Sequence, residues 1–479
     1  MTNADVPKKW DHDSDVIIIG GGTAGLPASI KVAEAGLKAT VLETRPQCGG
    51  SLSMIAGGVV FAGMDEQKAA GIEDSPDILC QDMIDNAGSD PKLARAYADN
   101  QLEAYRMLKE QGIVFDGGFG LGPGQSVRRG GLGSVLGHGY KLSKAFEDRA
   151  KAKGVEILYK HRAQRLITDP QTGKVIGLKV NVNDEIKNFK ANRAVIIATG
   201  GFGRSREFIM EYAPHMVDCV PLMPVGHQGD GLKMALELGA ATKDIGISVA
   251  GSWPICIDTH SRAIWALDAG GIMVNVHGKR FHDESSSEGF YGRLSEAGMR
   301  QPGGVYWVLF TDSILENVGR IRDTGRDMGH VKDIEKCKKI KVNTLEELSE
   351  KTGVNLKGLK ESIAKYNSDI DNPGYDTEFG RRYQRGMNKR PLVKIIPPLY
   401  AIKCITSLTS MKGGLRIDEH CRVIDYYDNA IPGLYAAGEA TGGLYTKSYI
   451  LGTMTSFSMA QGIVAGKSAA KEPAFNFPT

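Results

Sequence analysis

The run DVIIIGGGTAG, Asp15 to Gly25, constrains this chain more than any other stretch. Asp15 to Ile19 is a short apolar run closed by glycine, the pattern of a buried parallel strand. Gly20, Gly22 and Gly25 then open a helical stretch, LPASIKVAEAG, and Lys38 to Glu43 (KATVLE) reads as the second strand of a βαβ unit. In such a unit Gly20 allows the tight turn, Gly22 lets backbone approach a pyrophosphate, and Gly25 allows close helix packing. Thr23 and Ala24 lie at the helix N-terminus, where free N–H groups and the helix dipole favour an anion. Glu43 ends the second strand, placed to accept hydrogen bonds from a ribose. Two other glycine runs, Gly117 to Gly122 and Gly131 to Gly137, have no strand before them and read as loops.

The ligand is larger than one βαβ unit holds. Thr44 to Gly58 (TRPQCGGSLSMIAGG) is a dense Gly/Ser segment, longer than a nicotinamide dinucleotide site needs. Its Thr44, Arg45, Gly50, Ser51, Gly57 and Gly58 are candidate cofactor contacts. Two further strands, Ala194 to Thr199 (AVIIAT) and Gly433 to Ala437 (GLYAA), also end in glycine. They add Thr199, Gly200, Gly438 and Glu439 to the candidates, and Ala163 is a further one. Strands at both ends of the chain predict one nucleotide-binding domain with a long insertion. The expected fold is α/β, a Rossmann-like dinucleotide-binding domain with an inserted α+β domain; the family resemblance described below implies that these are an FAD-binding domain and a capping domain. The expected boundaries are residues 1–245 and 392–479 for the first and 246–391 for the second. Inside the insertion, Thr344 to Glu347 (TLEE) is a capping box and Asn355 caps the next helix.

Bulk properties exclude other classes. The 479 residues suit two or three domains. A net charge of +3 gives no argument for nucleic acid, and the basic cluster Lys336 to Lys341 reads as a solvated face. Seven cysteines contain no C-x-x-C pair, which predicts reduced thiols in the cytoplasm. The N-terminus lacks an apolar signal core, and no run nears the length of a membrane span.

The ordered set VIIIGGGTAG, VLE…GGSLSMIAGG, VIIATGGFG, GDGLKMALELGA, GGIMVNVHGKRFHDE, YDTEFGR and GLYAAGEATGG covers nearly the whole chain. It resembles the flavoprotein family of fumarate reductases, succinate dehydrogenases and 3-ketosteroid dehydrogenases. The resemblance implies bound FAD, with Glu439 on a ribityl hydroxyl, and a cap that closes over the flavin. Family members can attach FAD through a histidine beside the first Gly/Ser loop. Ser51, Leu52 and Ser53 stand there instead, so FAD is expected to be non-covalent. With one dinucleotide fingerprint, the electron donor or acceptor is unidentified.

Two chemistries divide that family. The fumarate-reductase branch holds a dicarboxylate with arginines and histidines, because charge-assisted pairs bind carboxylates best. Its arginine acid falls near Glu288 here, and its two histidines fall within Ser407 to Gly414 and Ser248 to Pro254. Its late arginine falls within Ser448 to Gly452. None of the four ligands is present. SYILGTM, Ser448 to Met454, instead resembles Δ4-type ketosteroid dehydrogenases, with Tyr, two residues, then Gly-Thr. The resemblance implies that Tyr449 and the Gly452 N–H hold a ketone oxygen and stabilise a developing enolate. Thr453 and Met454 open a helix that aims its N–H groups at the flavin. Tyr291, in FYGR, corresponds to the proton-transferring tyrosine. The expected substrate is a small hydrophobic ketone such as a 3-ketosteroid or an enone. The rival readings are an unsaturated acid held by Arg128, Arg129 or Arg293, and a non-catalytic electron-transfer subunit.

Overall fold

The computed structural model describes residues 6–54, 59–115, 119–122, 124–131, 139–246, 253–286, 292–319, 330–384 and 390–477. The chain forms two compact units. The first comprises residues 1–213, 223–248 and 410–479, and the second residues 214–222 and 249–409.

The first unit is built on five parallel strands. They are β1 (His12–Ile19), β2 (Ala39–Glu43), β3 (Glu156–Tyr159), β4 (Glu185–Ile197) and β5 (Ala430–Ala436). Their order across the sheet is β5-β4-β1-β2-β3, with an antiparallel strand, Arg422–Ile424, beyond β5. Val16 to Ile19 and Ala39 to Glu43 are buried, as the apolar runs require of a strand covered on both faces. Ile197 pairs with Ile19 on one side and Ala436 on the other, and Ile19 also pairs with Leu42. Parallel strands in this register must all end at one edge of the sheet. The turns after β1, β2, β4 and β5 therefore leave the sheet side by side.

Two helices hold that edge. Helix α1 (Gly25–Glu34) follows β1, and α2 (Thr453–Lys471) follows β5. They cross so closely that a Cβ on Gly462 would lie 2.1 Å from the Ala24 carbonyl oxygen. One on Gly466 would lie 2.4 Å from that of Ala28. Small residues therefore set this crossing, and α2 is buried along nearly its whole length.

The second unit has an antiparallel sheet in the order Pro254–Cys256, Leu399–Leu408, Tyr306–Thr311, Ile272–Val274. The chain was expected to return to the first domain at residue 392. It returns at residue 410 instead, because Leu399–Leu408 pairs with three strands of this second sheet. The expected helix caps form: Thr344 Oγ1 accepts the Glu347 N–H at 3.1 Å, and Asn355 Oδ1 accepts the Gly358 N–H at 2.9 Å.

A fully buried charge network ties the motifs GKRFHDE and YDTEFGR together. Arg280 bonds both oxygens of Glu284 (3.1 and 2.8 Å) and both of Asp376 (2.9 and 3.0 Å). Arg381 adds a 3.1 Å bond to Glu284. Burial pushes the Glu284 carboxyl up, but the two guanidiniums outweigh it and hold its pKa below the usual range. Removing one member strands the others without water. Arg280→Met is therefore expected to destabilise the fold by about 3–5 kcal/mol. Denaturant unfolding of the purified protein measures this, and an unchanged midpoint would show that the network contributes nothing.

Candidate functional site

The strand-end edge collects most of the residues singled out in the sequence. At the first turn Gly20 has φ +107°, and a Cβ there would sit 2.4 Å from the Ala198 carbonyl oxygen after β4. Gly25 is closed just as tightly, 1.8 Å from the Gly20 oxygen. Any side chain at either position would break the strand–turn–helix joint. Gly22 faces Gly50, each Cβ position within 3.9 Å of the other's Cα. Between fingerprint and Gly/Ser loop there is thus a cradle walled by bare backbone. A pyrophosphate needs such a surface, because only unsubstituted peptide lets N–H groups reach its oxygens. Thr23 and Ala24 sit above it, with Ala24 buried at the mouth of α1.

Glu43 is buried at the end of β2. Its carboxylate accepts the Gly21 N–H at 3.0 Å and the Arg45 N–H at 2.9 Å, with the Thr44 hydroxyl at 3.3 Å. The acid is thereby welded to the fingerprint and to the start of the next loop. Burial raises its pKa, and the donated N–H groups act against that rise. Ala163 is buried in the neighbouring strand His161–Thr168, three residues beyond Lys160, whose N–H reaches the Arg45 carbonyl at 3.3 Å.

The ends of β4 and β5 complete the edge. Gly200 is left-handed, with φ +75°. The Thr199 side chain abuts Gly231, whose Cβ position is 2.4 Å from the Thr199 Oγ1. After β5, a Cβ on Gly438 would lie 3.1 Å from the Ala24 Cβ, which brings Glu439 beside the fingerprint. Glu439 Oε1 accepts the Met411 N–H at 3.0 Å. One residue here went unnoticed in the sequence. His227 is buried between Ser51, 3.2 Å from Nε2, and Glu439, 3.7 Å from Nδ1. Its only sequence signal is its place two residues before GDG, Gly229 to Gly231.

The second cluster stands at the start of α2. The expected arrangement had Tyr449 and the Gly452 N–H as two separate donors to one oxygen. The structure corrects this: the Gly452 N–H donates to the Tyr449 hydroxyl oxygen at 2.9 Å. Tyr449 therefore takes up the N–H of Gly452, the residue that precedes the first turn of α2. Gly452 is left-handed (φ +81°), and a Cβ there would lie 2.4 Å from Val60 Cγ2, so only glycine fits. Burial pushes the Tyr449 pKa up to about 12, against the pull of the Gly452 N–H. The surroundings are aromatic. Tyr445 meets Tyr449 edge-on at 5.5 Å and bonds the Thr453 hydroxyl at 2.9 Å, and Tyr97 bonds Ser456 at 2.7 Å.

The three arginines weighed for a carboxylate differ in their surroundings. Arg129 is fully buried and ion-paired with Asp74 (2.7 and 2.8 Å) and Asp82. Arg128 is exposed, and Arg293 is exposed beside Glu296 at 3.6 Å. Tyr291, Gly57, Gly58 and Glu288 lie outside the described residues.

Glu43 is expected to make cofactor binding pH-dependent. Hydroxyl donors from a bound ribose favour the ionised carboxylate, whereas its burial raises the pKa without them. FAD binding then expels a proton, so affinity should rise as the pH climbs through the raised Glu43 pKa and fall below it. Titration of the apoprotein with FAD across the acid range measures this. Glu43→Gln should weaken binding at neutral pH and flatten the dependence; an unchanged profile would remove Glu43 from the ribose site.

Comparison with known proteins agrees with this geometry. Residues 15–455 match the model of the FAD binding domain family. The probable fumarate reductase Ifc3 of Shewanella frigidimarina is 28% identical over 482 residues, covering 96% of this chain and 78% of that protein. The open conformation of a flavocytochrome c3 fumarate reductase gives a TM-score of 0.80 at 27% identity, covering 96% of this chain and 79% of that one. The 3-ketosteroid-Δ4-(5α)-dehydrogenase from Rhodococcus jostii RHA1, in complex with 4-androstene-3,17-dione, gives 0.78 at 25% identity, covering 98% and 99%. No helix among the described residues is long and apolar enough to cross a membrane. The chain belongs to the FAD binding domain family, as an FAD-dependent oxidoreductase of the fumarate reductase and ketosteroid dehydrogenase superfamily.

Proposed function

We propose that this enzyme adds or removes hydrogen across a carbon–carbon bond next to a ketone, and that Tyr449 polarises the ketone oxygen. The observation that carries this reading is the Tyr449 oxygen at the N-terminus of α2, where it receives the Gly452 N–H at 2.9 Å. Donors into a hydroxyl oxygen strengthen that hydroxyl as a donor in turn. The helix terminus adds its partial positive charge, which favours an oxygen gaining negative charge. A phenol with a pKa near 12 stays protonated at neutral pH. That suits a hydrogen-bond donor to a carbonyl and not a base. Proton transfer at the adjacent carbon then falls to a second group, the role proposed for Tyr291.

Bound FAD supplies hydride acceptance or donation at its ring. The chain holds the cofactor through the Gly20–Gly25 turn, Glu43, the Gly50–Ser51 loop and Glu439. The missing histidine in that loop supports non-covalent attachment. The Tyr97, Tyr445 and Phe457 rings keep the Tyr449 neighbourhood apolar, which strengthens a polar contact made there. All seven cysteines are free thiols, which fits the cytoplasm.

A second reading is a reductase of an unsaturated carboxylic acid, favoured by the similarity to fumarate reductases. The pairing of Arg129 with two aspartates argues against it, because that guanidinium is already neutralised.

Tyr449→Phe separates the readings. It removes a donor to charge that develops in the transition state, so turnover of a ketone or enone should fall about 100- to 1,000-fold. Substrate binding should weaken less than turnover, since the bond strengthens as the enolate forms. Single-turnover flavin kinetics with 3-ketosteroids, simple enones and unsaturated acids provide the measurement. Near wild-type rates in Tyr449→Phe, or loss of acid reduction only in Arg128→Ala or Arg293→Ala, would overturn the ketone mechanism. The purified protein should also release all its FAD on acid precipitation, and flavin left on the chain would show a covalent bond.

A further inference from the structure

His227 is 4% exposed. Its ring presses on the Gly200 turn, where a Cβ would lie 2.5 Å from Nε2. The Ser51 hydroxyl stands 3.2 Å from Nε2. The other nitrogen, Nδ1, has no hydrogen-bond partner among the described residues. Glu439 Oε2 lies 3.7 Å from it, beyond hydrogen-bond reach. Glu439 Oε1 is already engaged by the Met411 N–H at 3.0 Å, so Oε2 is the oxygen turned towards the histidine.

A buried polar atom without a partner is rare in a native protein and points to a group the protein alone does not supply. The chemistry of the two sides identifies that group. The carboxylate draws the ring proton to Nδ1, while Nε2 accepts from Ser51. The pair then presents a donor, Nδ1–H, and an acceptor, Oε2, 3.7 Å apart. A phosphate or carbonyl oxygen would satisfy the histidine and leave the carboxylate opposed. An ammonium would satisfy the carboxylate and oppose the histidine. A hydroxyl does both at once. Among the parts of FAD, the ribityl chain carries a row of hydroxyls.

We propose that His227 and Glu439 form a clamp for one ribityl hydroxyl of FAD. His227 Nδ1–H donates to the hydroxyl oxygen, Glu439 accepts its proton, and Ser51 fixes the ring. His227 is then a cofactor-binding residue, and Ser51 a positioning residue for it. The proposal rests on FAD binding and not on the ketone reading, so the two stand or fall separately.

The test uses full-length apoprotein from riboflavin-starved cells, titrated by flavin fluorescence. The probes are FAD and analogues lacking the 2′-, 3′- or 4′-hydroxyl of the ribityl chain. Wild type should bind one analogue about tenfold or more weakly than FAD, as expected for a lost bond to a charged group, and tolerate the other two. In His227→Phe, FAD itself should bind about tenfold more weakly, and the penalty for that analogue should shrink. His227→Asn keeps an amide donor and should restore the discrimination. Wild-type affinity for FAD in His227→Phe would overturn the clamp. So would an unchanged penalty in that variant, or a wild-type protein indifferent to all three analogues. The last result needs no variant to fold.

Discussion

The parallel register of β5, β4, β1 and β2 is the constraint on which the first unit depends. Because Ala436, Ile197, Ile19 and Leu42 lie in line, the turns that follow them share one edge. Each turn contributes a different chemistry there. Gly20 to Gly25 offers bare backbone and a helix mouth, Glu43 a carboxylate, Gly200 a left-handed turn, and Glu439 a second carboxylate. A slip of one residue in β5 would flip its alternating side chains and carry Glu439 away from Ala24. Cofactor binding is thus a property of strand pairing before it is a property of any one side chain.

Helix α2 links that edge to the tyrosine. Gly462 and Gly466 let it press against the backbone of α1, which fixes where its N-terminus ends up. Gly452 then turns the chain sharply enough for its own N–H to meet the Tyr449 oxygen. The tyrosine oxygen thereby accepts the N–H at the mouth of the helix. A rigid crossing of small residues at one end of the helix therefore determines the position of the hydroxyl at the other.

Two buried arginines serve the architecture of this protein. Arg129 neutralises Asp74 and Asp82, and Arg280 neutralises Glu284 and Asp376, all in the interior. A guanidinium held by two carboxylates has no charge left for a third. These two guanidiniums are therefore committed to the fold, which is the physical support for the proposed ketone reading over a carboxylate held by Arg129.

The sequence alone determined the strand–glycine–helix unit, the acid at Glu43, the two later strand ends and the helix caps at Thr344 and Asn355. Each depends on residues within one turn or one strand of each other, where propensity and sterics act directly. It also indicated that a tyrosine and a glycine open the last helix. The direction of the Gly452 N–H was not legible, because a hydrogen bond's target depends on where the tyrosine side chain folds back. Nor was the return of the chain at residue 410, since Leu399–Leu408 pairs with strands about 90 to 150 residues earlier. His227 was invisible for the same reason. Only tertiary structure brings residues 51, 227 and 439 around one point. No local pattern marks a histidine whose partners come from three separate strand ends.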